Sequence, residues 1–351
     1  MKVEREMKKQ LLLSMLFLLM IGCRDGGGST PVTPAEDGGT TTALTTAQKI
    51  KADKAWDKNY YGENILIGVI DTGVRSTHDA FKSGRVRTDL GYNFNEGTNE
   101  STDPASGDGH GTSVASIAIG STVSKVGVAP KAEVIPLKIC LKDCPVTPTN
   151  KHYADAMDWA NTQGAKVINY SNYTPFASLD QSPATNDPLY DAIIKTNTND
   201  IVVVFAAGNN GGSSPVQPAA NVDEAQYKGN LIAVGNVNVD AYTGSVIGLD
   251  SRSNKAGSAK NKYIVAPGVN VNSASHANDT DYKTVRGTSF AAPQVAAAAA
   301  IIREAYPALT APQVVEILLK SATDIGDAGV DIIYGYGLLN VDAAINLAAT
   351  Y

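Results

Sequence analysis

The sequence predicts an α/β protein of three layers, in which helices cover both faces of a mostly parallel central sheet. Short apolar runs rich in β-branched residues are typical of strands that are buried on both faces of such a sheet. Longer helical segments separate these runs, and this alternation is typical of right-handed crossovers. The 351 residues are 43% apolar and 18% charged, which is the balance of a compact globular protein. The length allows one large domain or two modest ones, and one domain is the simplest account.

The predicted elements follow one another along residues 44–351. The candidate strands are Ile65–Ile70, Glu133–Ile139, Lys166–Tyr170, Ile201–Ala206, Leu231–Val234 and Tyr263–Ala266. The candidate helices are 44–57, 111–120, 151–163, 187–198, 288–305, 310–321 and 340–349. In sheets of this kind, sites form where loops leave the carboxyl ends of the strands. Polar residues at those ends are therefore the first candidates for chemistry.

The first 23 residues have the pattern of a lipoprotein signal peptide. Basic residues precede an apolar run from Leu11 to Ile21, which is too short to cross a bilayer as a helix. The run ends in MIGC at 20–23, which resembles the bacterial lipobox and implies cleavage before Cys23 and a lipid on that residue. An ordinary signal peptide with an incidental cysteine is the alternative.

Residues 24–43 are rich in Gly, Thr and Pro and have little to bury, so they predict a flexible linker. We therefore expect a signal peptide over 1–23, a linker over 24–43 and a folded domain over 44–351. The protein is expected to be exported and held by its lipid at a bacterial membrane or cell surface.

The remaining cysteines, Cys140 and Cys144, form a close pair. In an exported protein such a pair is a candidate disulfide, and two free thiols are the alternative. A metal site is disfavoured because no histidine lies nearby and no other metal-binding motif is present. The net charge of −6, without a long basic cluster after residue 10, argues against nucleic acid as a partner.

Three short stretches carry residues suited to chemistry. The first, VIDTG at 69–73, places a carboxylate at the end of an apolar strand. The second, GDGHGT at 107–112, places an imidazole where a glycine-rich loop enters a helix. The third, GTSFAAP at 287–293, places a hydroxyl at the start of a long alanine-rich helix. The candidate residues are Asp71, His110 and Ser289.

These three residue types can act together. A serine hydroxyl is a poor nucleophile until a neighbouring base takes its proton, and neutral imidazole can do this near pH 7. A buried carboxylate on the other ring nitrogen fixes the tautomer and stabilises the imidazolium that forms. Each residue has an ordinary structural explanation by itself, such as Ser289 as a helix cap. Asp-Thr-Gly also resembles an aspartic-protease signature, but the sequence has no second copy.

The order Asp, His, Ser within these motifs resembles the subtilisin family of serine peptidases over about residues 44–349. The resemblance implies a subtilisin-like fold, with Asp71 as the orienting acid, His110 as the general base and acid, and Ser289 as the nucleophile. A fourth stretch, VVVFAAGN at 202–209, matches the place where the family has an oxyanion-binding asparagine, here Asn209. The backbone N–H of Ser289 would be the second donor.

The same resemblance implies where a peptide binds. An extended substrate would add as a strand beside the backbone near Ser171 and beside a segment before His110. The family has Leu-Gly after this serine, and the sequence departs from that pattern with Asn172-Tyr173. The residues predicted to wall the primary pocket are Ser171, Asn172, Tyr173, Ala206, Ala207 and Gly208. Of the other histidines, we expect a structural role for His78 and solvent exposure for His152 and His276.

Three functions stay open at this point. The first is a peptidase that cuts extracytoplasmic proteins through an acyl-enzyme; the second is an inactive surface-binding module of the same fold. The third is a maturation protease with one dedicated partner. We expect a monomer that needs no cofactor; calcium sites are common in the family, but no ligand set can be matched here.

Sequence features near the two ends of the chain indicate a subgroup of the subtilisin family. The lipobox, the glycine-rich tether and residues 331–340 resemble autotransporter-type subtilases. Between Cys23 and Asp71 there is no room for a folded pro-domain, and no alternating strands of a membrane translocator follow. We therefore expect either a stand-alone lipoprotein or a truncated form of a longer protein.

Overall fold

The structure is a computed structural model. It describes residues 42–82, 84–103, 109–122, 125–139, 147–172 and 187–351. Twelve strands lie in these ranges. They are β1 (Leu66–Asp71), β2 (Tyr92–Asn93), β3 (Ser121–Thr122), β4 (Lys125–Val126), β5 (Glu133–Lys138), β6 (Val167–Tyr170), β7 (Val202–Ala206), β8 (Leu231–Val239), β9 (Val246–Leu249), β10 (Tyr263–Pro267), β11 (Val271–Ala274) and β12 (Tyr282–Val285). The predicted signal peptide, Cys23, Cys140, Cys144 and Tyr173 lie outside the described residues.

The described α-helices are α1 (Thr46–Lys49), α2 (Ala52–Trp56), α3 (His110–Ile119), α4 (Asn150–Thr162), α5 (Pro188–Thr198), α6 (Thr288–Ala305), α7 (Ala311–Lys320) and α8 (Val341–Ala348). Short 3₁₀ turns lie at Asp79–Phe81, Thr88–Leu90, Ala219–Asn221, Ala225–Tyr227 and Gly257–Lys262. The longest helix, α6, is buried from Thr288 to Arg303. Its alanines allow neighbouring elements to approach closely. Within the described ranges, no helix has the length and apolar character needed to cross a membrane.

The central sheet has the strand order β10-β8-β7-β6-β1-β5-β2, and every pair along it is parallel. β9 adds to β8 as an antiparallel strand, and β11 and β12 form a separate hairpin. Parallel neighbours need crossovers, and the helices provide them on both faces. The predicted α/β class with three layers is confirmed.

The side chains of each central strand alternate between two cores. In β7, Val202 and Val204 face the core that also contains α3, α6, α7 and α8. Val203 and Phe205 face the other core, together with α4 and α5. This alternation follows from the two-residue period of a strand, and burial on both faces explains why the strands are continuously apolar in sequence.

The predicted helix 44–57 is two helices in the structure. Lys51, between α1 and α2, has a left-handed backbone with φ 59°. The break leaves the carbonyl of the buried Ile50 free to accept a hydrogen bond from Val341 N at 2.9 Å, where α8 begins. Lys58 adds an ion pair of 2.8 Å with Asp342, so the first helices of the domain are tied to the last one.

Candidate active site

Asp71 is the last residue of β1, and its carboxylate is buried at the carboxyl end of the sheet. Its Oδ1 accepts a hydrogen bond from the backbone N–H of Thr72 at 2.8 Å. The same oxygen lies 2.8 Å from Nδ1 of His110, whose N–H donates to it. Two donors on one oxygen fix the carboxylate and the plane of the imidazole.

His110 is the first residue of α3, and the chain must turn sharply to start the helix there. Gly109 makes this turn with a left-handed φ of 67°. A side chain at position 109 would also collide with the ring of His276, because its Cβ would lie only 1.9 Å from Nδ1 of that ring. Glycine is therefore required for two reasons. The His110 ring contacts Phe290, with ring centroids 5.2 Å apart, and so lies beside the residue that follows Ser289.

Ser289 lies in the first turn of α6 and is held by a reciprocal pair of hydrogen bonds with Ser171. Ser289 Oγ donates to the Ser171 carbonyl at 2.9 Å, and Ser171 Oγ donates to the Ser289 carbonyl at 2.9 Å. Asn169 completes the arrangement, since its Nδ2 donates to Ser171 Oγ at 2.8 Å. The buried end of β6 thereby fixes the position of the serine at the start of α6.

Asn209 follows β7 and is oriented by the residue before Ser289. Its Oδ1 accepts from the backbone N–H of Thr288 at 2.8 Å and from the Thr288 hydroxyl at 3.2 Å. Gly287 has φ 146°, and a Cβ there would lie 3.1 Å from Asn209 Oδ1. Asn209 is itself exposed, and these contacts hold the carbonyl end of its amide beside the residue that precedes Ser289.

The loop before Ser289 is anchored by an ion pair. Arg286 Nη2 and Nε donate to the two oxygens of Asp250 at 2.6 and 2.9 Å. The Arg286 side chain holds the pKa of this carboxyl well below its usual range, and the N–H of Arg252 and the amide of Asn236 act in the same direction. The bidentate geometry fixes the orientation of the arginine immediately before Gly287.

Several of the residues predicted to wall the primary pocket lie together in the structure. A shallow depression beside the serine is lined by Ser171, Asn172, Ala206, Gly208, Asn209, Val216, Thr288 and Ser289. The Ala207 side chain is fully buried in the core instead. Asn172 is also buried, and its amide donates to the carbonyl of Ile70 at 3.2 Å, which ties β6 to the end of β1. Tyr173, the other departure from the family pattern, lies outside the described residues.

The other histidines differ in their surroundings. His78 is fully buried; Nε2 donates to the Asp281 carbonyl at 2.8 Å, and Nδ1 accepts from Ala80 N at 3.1 Å, so the expected structural role is confirmed. His152 caps the exposed start of α4 through Thr149. The expected solvent exposure of His276 holds only in part, because this residue is half-exposed while its ring lies against Gly109 and its Nδ1 is buried.

Sequence reasoning missed two residues that fix this site. Asn169 is a buried amide in an otherwise apolar strand, and this polar residue in a core strand was the available signal. Asp103 is a buried carboxylate that accepts hydrogen bonds from the first turn of α3. Among the described residues, no group of three His, Cys, Asp or Glu side chains is arranged to hold a metal ion.

The arrangement suits acyl transfer. A carboxylate orients an imidazole, a serine hydroxyl lies at the N-terminus of the helix that packs on this imidazole, and the Asn209 amide contacts the residue before that serine. Together the sheet and this site define a serine hydrolase.

Comparison with known proteins narrows this class. Residues 62–337 match the family described as "Subtilase family". Subtilisin DY of Bacillus licheniformis is 36% identical over 304 residues, which cover 84% of this chain and 96% of that protein. Subtilisin BL of Lederbergia lenta is 31% identical with the same coverage of both chains. The chain belongs to the subtilase family. It is a serine endopeptidase, and its substrates are proteins or peptides.

Solved structures agree with this assignment. The prenylagaramide maturation protease PagA aligns with a TM-score of 0.65 and 25% identity, covering 85% of this chain and 98% of that one. The MycP3 protease from the type VII (ESX-3) secretion system aligns with a TM-score of 0.65 and 26% identity, covering 88% of this chain and 90% of that one.

Proposed function

We propose that Asp71, His110 and Ser289 are the catalytic residues of this endopeptidase. The observation that carries the proposal is the 2.8 Å contact between the Asp71 carboxylate and Nδ1 of His110, with the imidazole packed on the residue next to Ser289. This contact leaves Nε2 as the nitrogen that exchanges a proton with Ser289.

In the proposed reaction, Ser289 Oγ attacks the carbonyl carbon of the scissile bond while its proton passes to His110 Nε2. The carbonyl oxygen becomes an oxyanion, which the Asn209 amide and the Ser289 N–H stabilise. His110 then gives the proton to the departing amine, and an acyl-enzyme remains on Ser289. Water attacks the acyl group in the same way, with His110 again as base, and restores the hydroxyl. Asp71 stays ionised throughout.

The proposed peptide-binding surface lies beside these residues. An extended substrate would pair with the backbone near Ser171, and its side chain would enter the depression lined by Ala206 and Gly208. Asn172 also lines this depression, where the family pattern implies leucine, so we propose that the pocket wall is more polar in this protein.

A fluorophosphonate probe tests the nucleophile. Wild-type protein is expected to be labelled covalently and in a 1:1 ratio, because only an activated serine attacks such probes at a useful rate. The Ser289→Ala variant is expected to take up no label. Ser213→Ala serves as the control, since it removes the hydroxyl of an exposed serine outside the candidate site and should retain labelling. A folded wild type that is not labelled, or a Ser289→Ala variant that is, would contradict the proposal and favour a binding module.

We also propose that the enzyme works outside the cytoplasm with a lipid on Cys23, as the MIGC stretch at 20–23 supports. Full-length protein made in a bacterial host with alkyne-tagged palmitate should carry the tag and sediment with membranes. Cys23→Ser should lose both properties, because a single cysteine is the attachment point. An untagged, soluble wild type would refute lipidation and leave the peptidase assignment intact.

A further inference from the structure

The first turn of α3 has no cap from its own N-cap residue, Gly109. Free N–H groups at a helix start need other acceptors, and two side chains from elsewhere supply them. Gly111 N donates to Thr72 Oγ1 at 2.9 Å, and Thr112 N donates to Asp103 Oδ2 at 3.1 Å. The helix that begins with His110 is therefore held in place by residues outside it.

Asp103 is the centre of this arrangement. Its side chain is 1% exposed, and Oδ2 also accepts from the Thr112 hydroxyl at 2.8 Å. That hydroxyl oxygen in turn accepts from Arg75 N at 3.0 Å. One carboxylate thus joins the start of α3 to the backbone that follows Asp71. A negative charge at a helix N-terminus is also electrostatically favourable.

The surroundings of Asp103 favour its protonated form more than water does. Burial raises the pKa of this carboxyl to about 6, and the charge of Asp71 acts in the same direction, while hydrogen bonds from Thr112 and Thr72 oppose the rise. The titratable or charged groups on the neighbouring elements include Asp71 at the end of β1, Arg75 after it, His110 on α3, His276, Asp279 and Asp281 before β12, and Lys138 at the end of β5. Of these groups, Arg75 forms an ion pair with Asp279, in which Nε lies 2.7 Å from Oδ1.

We infer that Asp103 is a positioning residue for the proposed triad. It fixes the first turn of α3 against the Asp71 loop, and when ionised it places a second negative charge near the imidazolium that forms on His110. This inference rests on the proposed roles of Asp71, His110 and Ser289. Asp103 itself touches neither the substrate nor the reacting atoms.

The test is the pH profile of kcat/KM for Asp103→Asn beside wild type. Asparagine keeps an oxygen that can accept from Thr112 but carries no charge. At pH 8 we expect kcat to fall about tenfold with little change in KM, since the lost charge acts on the transition state. Wild-type Asp103 takes up a proton as the pH falls through about 6, so the two profiles should converge at low pH. A role confined to structural support would lower activity by the same factor at every pH.

Two further measurements keep the test decisive. Thermal unfolding at pH 8 should show Asp103→Asn as stable as wild type or more so, because the cost of a buried charge is removed. If that variant does not fold, Thr112→Val replaces it. Valine removes the hydroxyl donor to Asp103, so the acid limb of kcat/KM should move to higher pH. Parallel profiles, or an unmoved acid limb in Thr112→Val, would overturn the inference while wild-type fluorophosphonate labelling still supports Ser289. Loss of that labelling would instead contradict the proposed triad.

Discussion

Replacing Asp71 with asparagine is expected to lower kcat by about 10⁴-fold while the protein stays folded. Asp71 Oδ1 accepts from both Thr72 N and His110 Nδ1 at 2.8 Å. An amide can keep the first contact and turn its NH₂ toward the imidazole. His110 would then present its unprotonated Nδ1 to that NH₂ and carry its proton on Nε2, where it cannot accept one from Ser289. KM should change little, because this pair does not contact the substrate.

Steady-state hydrolysis of a chromogenic peptide measures this effect, and circular dichroism checks the fold. The double variant with Ser289→Ala is the control. Since the residues act as one unit, adding Asp71→Asn to Ser289→Ala should cost almost nothing further. An Asp71→Asn enzyme within tenfold of wild type would rule out the orienting role of Asp71.

Replacing Asn209 with leucine is expected to reduce kcat by about 10²–10³-fold, which is the loss that removal of one oxyanion donor causes in subtilisin itself. The change removes the amide that we assign to the oxyanion, and KM should remain close to that of wild type. Any effect should be confined to the transition state, because the oxyanion does not exist in the bound substrate.

Thr288→Val is the matched control for Asn209. It removes the hydroxyl that donates to Asn209 Oδ1 at 3.2 Å but leaves the stronger backbone contact of 2.8 Å. The amide should stay in place, so kcat should fall far less than in Asn209→Leu. Measurement of kcat and KM for both variants separates the effect of losing the Asn209 amide from the effect of losing the Thr288 hydroxyl. A loss that appears in KM alone for Asn209→Leu would mean that this residue binds substrate and not the oxyanion.

The central strands were predictable because each is apolar on both faces. The predicted and observed starts of β1, β5, β6 and β7 differ by no more than one residue. The extension of β8 to Val239 was not predictable, because Asn236 and Asn238 interrupt the apolar run. In the structure Asn236 pairs with the buried Asp250, so a tertiary contact stabilises a strand that propensity disfavours.

The candidate catalytic residues could be predicted from the sequence, but most of the residues that hold them in place could not. Asp71, His110, Asn209 and Ser289 lie in motifs that can be read along the chain. Asp103 and His276 support the start of α3 from distant positions, and a single sequence holds no local sign of such contacts. The break at Lys51 is likewise associated with a distant contact, the hydrogen bond from Val341 N to the carbonyl of Ile50.

The joint between Ile50 and Val341 has a mechanical consequence. Tension applied to the chain ahead of residue 42 reaches α2 and α8 together, through this hydrogen bond and the Lys58–Asp342 ion pair. A force on the first helices should therefore act on α8 as well. We therefore expect local unfolding of α8 to destabilise α1 and α2, which lead into β1.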